Sequence, residues 1–347
     1  MAKQAYRSIY FFAGLLITVA VFAQNDLYTQ ALEMFHQHQW SESAAAFQQY
    51  EKTQPGKSDA SLYAAKAFIN LDQIPDAVKI LEPYVTNNPK SDDAVYLLAY
   101  LRFRQDKPRE SLKLYTAGAK LKTPSSDDLK IVSLDYVLLN DYNDAAKYLE
   151  DSLKMDPNNL EARYHLGRVR YQQNKFDEAV AAFQEVVRQD PTNAKAEANL
   201  GLSLEGKNEN MQAISVYRKA IELDEVSANH NEQPYLDLGV LLGKLGRTPE
   251  AIPLLTKAAQ IQPKSAKARY ELGKACLTQN QLDEAQKQIE EAVKLDAANS
   301  SNHYLLGRIY QKQGKKDLAA QQFAMTNTLI DKKHASSNDT GMATGAR

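Results

Sequence analysis

At matching places in three stretches of this 347-residue chain an aromatic ring stands one helical turn ahead of a cation: Tyr164 and Arg168, Tyr270 and Lys274, Tyr304 and Arg308. Four-residue spacing puts both members of a pair on one face of a helix. A rigid ring beside a guanidinium or ammonium group suits extended peptides, carboxylates and acidic side chains. Other chemistry does not assemble. The sequence has no HExxH, no GxGxxG after a strand pattern, no GxxxxGK(S/T) and no paired CxxC. His36 and His38 are two apart, so on a helix they point to different faces. Cys276, the single cysteine, has no histidine near it in sequence and reads as a small buried hydrophobe. No catalytic residue, metal site or cofactor is expected, and the chain is read as a non-enzyme.

Composition narrows the class further. With 44% apolar and 24% charged residues the chain is neither wholly disordered, collagen-like nor a polytopic membrane protein. Its 42 basic and 43 acidic residues give no global field to hold a polyanion, so nucleic acid is not an expected partner. Residues 1–23 have the order of a secretory signal peptide. Lys3 and Arg7 precede an apolar run from Ile9 to Phe22, with Val21 and Ala23 small before Gln24. The run is shorter than the ~20 residues a membrane-spanning helix needs. Cleavage after Ala23 is expected, with a periplasmic or secreted destination. Membrane contact would arise only if the segment stayed uncleaved.

The elements that position the pairs repeat. Units begin at Gln24, Ser58, Asp92, Ser126, Leu160 and Ala194, then at Glu232, Ala266 and Ser300, with a period of 34 residues and one four-residue slip. Each unit reads as two amphipathic helices joined by a tight turn. The eighth residue is always small, from Ala31 to Gly307, and so is the twentieth, from Ser43 to Ala319. Four residues after the twentieth stands a bulky side chain, such as Phe47, Tyr115, Tyr217 or Phe323, expected to fill the space between hairpins. Prolines 55, 89, 157, 191 and 263 close five of the units. Residues 24–227 hold units one to six, 228–231 are a loop insertion and 232–333 hold units seven to nine. Residues 334–347 read as a disordered tail, and Thr326 with Asn327 as a polar cap on the last hairpin.

A Leu-Gly pair (Leu166-Gly167, Leu272-Gly273), a second-helix alanine (Ala179, Ala285), a following bulky residue and a closing proline together resemble the tetratricopeptide repeat family. The resemblance covers residues 24–333. It implies an all-α fold, a right-handed superhelix of about nine helix-turn-helix hairpins with first helices lining a concave groove. It places the three tyrosine–cation pairs in that groove with Tyr171 and Lys312. Tyr28, Phe35, Tyr96, Tyr100 and Phe103 make the N-terminal part more aromatic. The same tyrosines could instead brace neighbouring first helices. Lys66 and Lys130 do not reproduce the carboxylate clamp of chaperone-binding members. The expected function is an exported, non-catalytic scaffold that holds a protein or peptide in the groove, in envelope assembly, secretion or polymer export. The alternative is an accessory protein binding an acidic polysaccharide.

Overall fold

The computed structural model describes residues 27–56 and 59–343; the signal segment, residues 1–23, lies outside them. Among the described residues there are eighteen helices and no strand. The first helices of the hairpins are α1 (27–36), α3 (Ala60–Asn70), α5 (Asp92–Arg104), α7 (Ser126–Leu138), α9 (Leu160–Gln172), α11 (Ala194–Gly206), α13 (Gln233–Lys244), α15 (Ala266–Thr278) and α17 (Ser300–Lys312). Their partners are α2 (Trp40–Thr53), α4 (Ile74–Asn87), α6 (Pro108–Gly118), α8 (Tyr142–Met155), α10 (Phe176–Gln189), α12 (Asn210–Glu225), α14 (Thr248–Ile261), α16 (Leu282–Leu295) and α18 (Lys316–Ala343). The chain divides into two compact units, Met1–Val169 and Arg170–Arg347, with the boundary inside α9. In the first, consecutive helices from α2 to α8 pack on one another; in the second, those from α10 to α18 do.

Close approach within a hairpin depends on the small eighth residue. A Cβ built on Gly201 would lie 2.7 Å from the Tyr217 ring, and one on Gly273 would lie 2.6 Å from Ile289. The bulky twenty-fourth residue therefore sits directly over the eighth residue of its own hairpin. It also reaches the next one: Leu81 packs with Ala65 and Ala77 and with Ala94 and Leu98. The gap between hairpins and the gap within one are filled by the same side chain.

A second periodic signal lies in the turn. The fifteenth residue of every unit has positive φ: His38, Asp72, Asp106, Asn140, Asn174, Asn208, Gly246, Asn280 and Gly314, between 57° and 77°. This left-handed residue ends the first helix. In the fourth hairpin, Asn140 N–H donates to Val137 C=O at 3.0 Å and Asp141 N–H to Tyr136 C=O at 2.9 Å. Two carbonyls that the helix end would leave bare are thereby satisfied. Residues with a short polar side chain or none tolerate this conformation, whereas a β-branched residue does not. Asn140→Val is expected to destabilise the protein by about 1–2 kcal/mol and Asn140→Gly to be neutral or better, measured by urea denaturation.

The four-residue slip is absorbed in two places. Helix α12 has 16 residues, and residues 226–232 form the connection to α13. Buried Asp224 holds that connection, accepting from Asn231 N–H at 2.7 Å and lying 3.2 Å from His230 Nδ1. At the other end, α18 has 28 residues, so helical backbone continues through residues 334–343, where the sequence suggests disorder. Thr326 is buried with its hydroxyl donating to Gln322 C=O at 2.9 Å, so of the expected polar cap only Asn327 faces solvent.

Candidate functional site

The first helices carry the surface on which the sequence places the site. α5 touches α7 in the first unit, and α11, α13, α15 and α17 touch in succession in the second. A fixed row of side chains on packed helices is a more precise platform than a loop.

On the first unit this row opens into a cavity of about 560 Å³, lined by Tyr96, Leu97, Tyr100, Tyr115 and Ile131 and rimmed by charged side chains. Tyr96 is 8% exposed, and its hydroxyl donates to Lys122 C=O at 2.6 Å. Most of its area braces the hairpins, with its ring 5.8 Å from that of Tyr115. Tyr100 is half-buried. Its hydroxyl accepts from Arg104 Nη1 at 2.9 Å, the guanidinium lies 5.8 Å from the ring centre, and Arg104 Nη2 reaches Asp72 at 2.7 Å. Arg104 was not legible as a site residue, although it follows Tyr100 by the same four-residue step as the predicted pairs. Lys130 is buried and bound to Asp127 at 3.0 Å and Glu161 at 2.6 Å.

The predicted pairs behave differently from one another. Tyr164 is half-buried, its ring 5.5 Å from that of His165, and Arg168 is exposed. Burial, followed by the Arg168 charge, pushes His165 down to about 4, so its imidazole is neutral at physiological pH. Tyr270 is half-buried, but Lys274 turns to Glu271 at 3.0 Å and, among the described residues, no cation lies over the Tyr270 ring. Tyr304 is half-exposed and tilted against Phe323 at 5.9 Å, with Arg308 and Lys312 exposed beside it. Among the described residues, Arg168, Arg308 and Lys312 form no ion pair, so these cations are open to a ligand.

Tyr171 meets a group the sequence reading passed over. Burial first, then the carboxylates of Glu205 and Asp237, raise its hydroxyl above the usual phenol range. Lys244 is bound to Glu205 at 2.7 Å. Asp237 accepts from Gln233 Nε2 at 2.7 Å, and burial pushes it up to about 6. The first-helix face of the second unit is therefore a mixed, largely self-neutralised surface. Its acids stand at the sixth and twelfth places of their units, outside the fifth-and-ninth spacing of the tyrosine–cation pairs.

Cys276 is 1% exposed and burial raises its thiol, which makes it inert packing. No cluster of three metal-ligating side chains exists among the described residues. None of their helices is long and apolar enough to cross a membrane.

Helical hairpins in tandem, each closed by a small residue under a bulky one, define an α-solenoid. Profiles of the family described as Tetratricopeptide repeat match residues 133–194 and 277–326, residues 242–299 and residues 194–226. The chain belongs to the tetratricopeptide repeat family. No curated protein matches the sequence. Solved structures of similar fold include "PilW, widely conserved type IV pilus biogenesis factor", 21% identical over 58% of this chain and 92% of that one, with a TM-score of 0.53. YrrB, described as a tetratricopeptide repeat protein with an unusual peptide-binding site, is 19% identical over 55% and 99%, with a TM-score of 0.44. MamA from Desulfovibrio magneticus RS-1 is 20% identical over 50% and 97%, with a TM-score of 0.46. These are likenesses of fold.

Proposed function

We propose that the protein is an exported, non-catalytic scaffold that holds a protein or peptide along its first helices during envelope assembly, secretion or polymer export. The observation that carries the binding role is the cavity between α5 and α7, where the half-buried ring of Tyr100 stands on packed helices beside the buried Tyr96 and Tyr115, as anchor residues do at interfaces. Export rests on the basic, apolar and small-residue order of residues 1–23.

An acidic polysaccharide is the second reading, favoured by the unpaired Arg168, Arg308 and Lys312. Lys244 and Lys274 weigh against it, because each already holds a glutamate. Salt separates the two readings. Polyanion binding should fall steeply between low and moderate ionic strength, and an aromatic-anchored peptide should be less affected.

The full chain, expressed with its own N-terminus, is expected to appear outside the cytoplasm with Gln24 as its first residue, read by N-terminal sequencing. Used as bait against envelope extract, it should lose partners when Tyr304 and Arg308 are both changed to alanine or when Tyr100→Ala is introduced, with helicity intact. Capture that is identical in all three forms would remove the first-helix face as the binding surface.

A further inference from the structure

The last hairpin breaks a pattern that the other eight keep. The nineteenth residue of a unit, third in the second helix, is acidic in seven of them, from Glu42 to Glu284, and Gln212 in the eighth. An acid at that place complements the positive end of the helix. In α18 the residue is Leu318, 41% exposed. The twenty-sixth residue is charged in five other hairpins, among them Glu185, Lys257 and Glu291, and in α18 it is Met325, 45% exposed. Seven-residue spacing sets Leu318 and Met325 on one stripe of the helix, and half-buried Leu329 continues it. Aliphatic side chains that replace charge along an aligned stripe are the pattern of a face that is covered.

The charges beside the stripe say what covers it. Along one flank Asp317, Gln321, Thr328 and Lys332 follow one another on a single helix row, all exposed. The row is negative at its start, neutral between and positive at its end. On the other flank Lys315 is turned back onto the preceding hairpin, donating to Gln286 Oε1 at 3.0 Å with its ammonium 5.6 Å from the Tyr310 ring centre. In an antiparallel pair of helices the same flank of each meets, so two copies of α18 set each Asp317 against Lys332 of the other. A parallel pair brings the two Lys332 ends together instead. α18 also has the length for such a contact, with 28 residues against 13 in α17, so that from about residue 330 it runs past the start of its own hairpin partner.

We propose that the protein self-associates through α18, two copies packing antiparallel with Leu318, Met325 and Leu329 of each in the seam and Asp317 of each paired with Lys332 of the other. The occupant is a second copy because the flank is complementary to itself when reversed. The contact is isologous, the same patch on both copies, so it closes at a dimer. It uses a second helix and is independent of the first-helix face, so either reading can fail alone. One helix face covers less than the ~1,600 Å² of a standard interface, and the dimer should be weak, dissociating at about 10–100 µM.

The test is sedimentation equilibrium of the full chain between about 1 and 300 µM, a range that brackets the expected dissociation constant. The mass should rise from that of a monomer towards that of a dimer. Leu318→Glu combined with Met325→Glu should hold it monomeric throughout, because four carboxylates would then be buried in the seam. The helical circular dichroism should not change, since glutamate stands at both places in the eighth hairpin, as Glu284 and Glu291. Asp317→Lys alone and Lys332→Asp alone should each weaken dimerisation about fivefold, and the two together should restore it. A parent chain that stays monomeric over the whole range overturns the proposal and leaves the stripe to a different protein or to none. A dimer that survives the Leu318 and Met325 changes lies elsewhere on the molecule and overturns it too. A charge exchange that fails to restore affinity overturns the antiparallel pairing.

Discussion

Asp135→Ala is expected to stabilise the protein at pH 8 by about 2–4 kcal/mol and to leave it little changed near pH 4. The tenth place of a unit belongs to the core. It is Ala67, Leu101, Val169, Ser203, Leu241, Ala275 and Ile309 in seven other hairpins, all buried. In the fourth it is an aspartate with 0% exposure. Neither carboxylate oxygen has a hydrogen-bond partner, and the buried Ser111 hydroxyl that faces it falls short of bonding geometry. Burial without a counter-charge pushes the acid from 3.8 up to about 7. The folded chain thus binds a proton over a range where the unfolded chain has lost it. Stability from this residue is full below the unfolded value, falls as the pH rises towards about 7 and is flat above that. Denaturation midpoints of Asp135→Ala and the parent should diverge from pH 4 to pH 7 and run parallel thereafter. Asp135→Asn, which keeps a polar group but removes the charge, should lose the same pH dependence. A parent–variant difference independent of pH would show that the carboxylate is ionised and satisfied in the folded protein.

Gly239→Leu is expected to cost at least about 1–3 kcal/mol. A Cβ at Gly239 would already stand 2.7 Å from both Cγ and Cδ2 of Leu255, with the Ala251 carbonyl oxygen at 3.5 Å behind. The remaining leucine carbons have no space between α13 and α14 unless the helices part. Ala251→Leu presses on the same contact from the other side, since Ala251 is fully buried. Gly243, one turn further along α13, is the control. A Cβ there meets nothing within 4 Å, so Gly243→Ala removes only the entropic cost of glycine in a helix and should stabilise by up to about 1 kcal/mol. Because each hairpin is supported by its neighbours, the Gly239→Leu defect should appear as early amide exchange in α13, α14 and the helices packed on them. Equal midpoints for the Gly239 and Gly243 variants would contradict the packing described.

Much of this architecture is written locally. The small eighth and twentieth residues and the bulky twenty-fourth recur at fixed spacing, so helix, turn and pairing could be read one unit at a time. The left-handed fifteenth residue was equally present as a run of His, Asp, Asn and Gly, and only the observed φ angles show why those types recur. The candidate site was less legible. Tyr100 and Tyr96 were named from their places in the repeat, but Tyr96 turned out to be mostly a brace. Lys274 turned to an acid on its own helix, and Arg104, Glu205 and Asp237 were not legible as site residues.

What the sequence determined by itself is the hairpin, because short-range spacing decides which side chains share a helix face and which small residues let two helices close. What only the tertiary structure decided is which charges remain available and which polar groups are left alone. Neutralisation of Lys122 and Lys130 and isolation of Asp135 each depend on side chains brought together from different parts of the chain. Electrostatic energy follows distance and burial in space, and neither can be read from position along the chain.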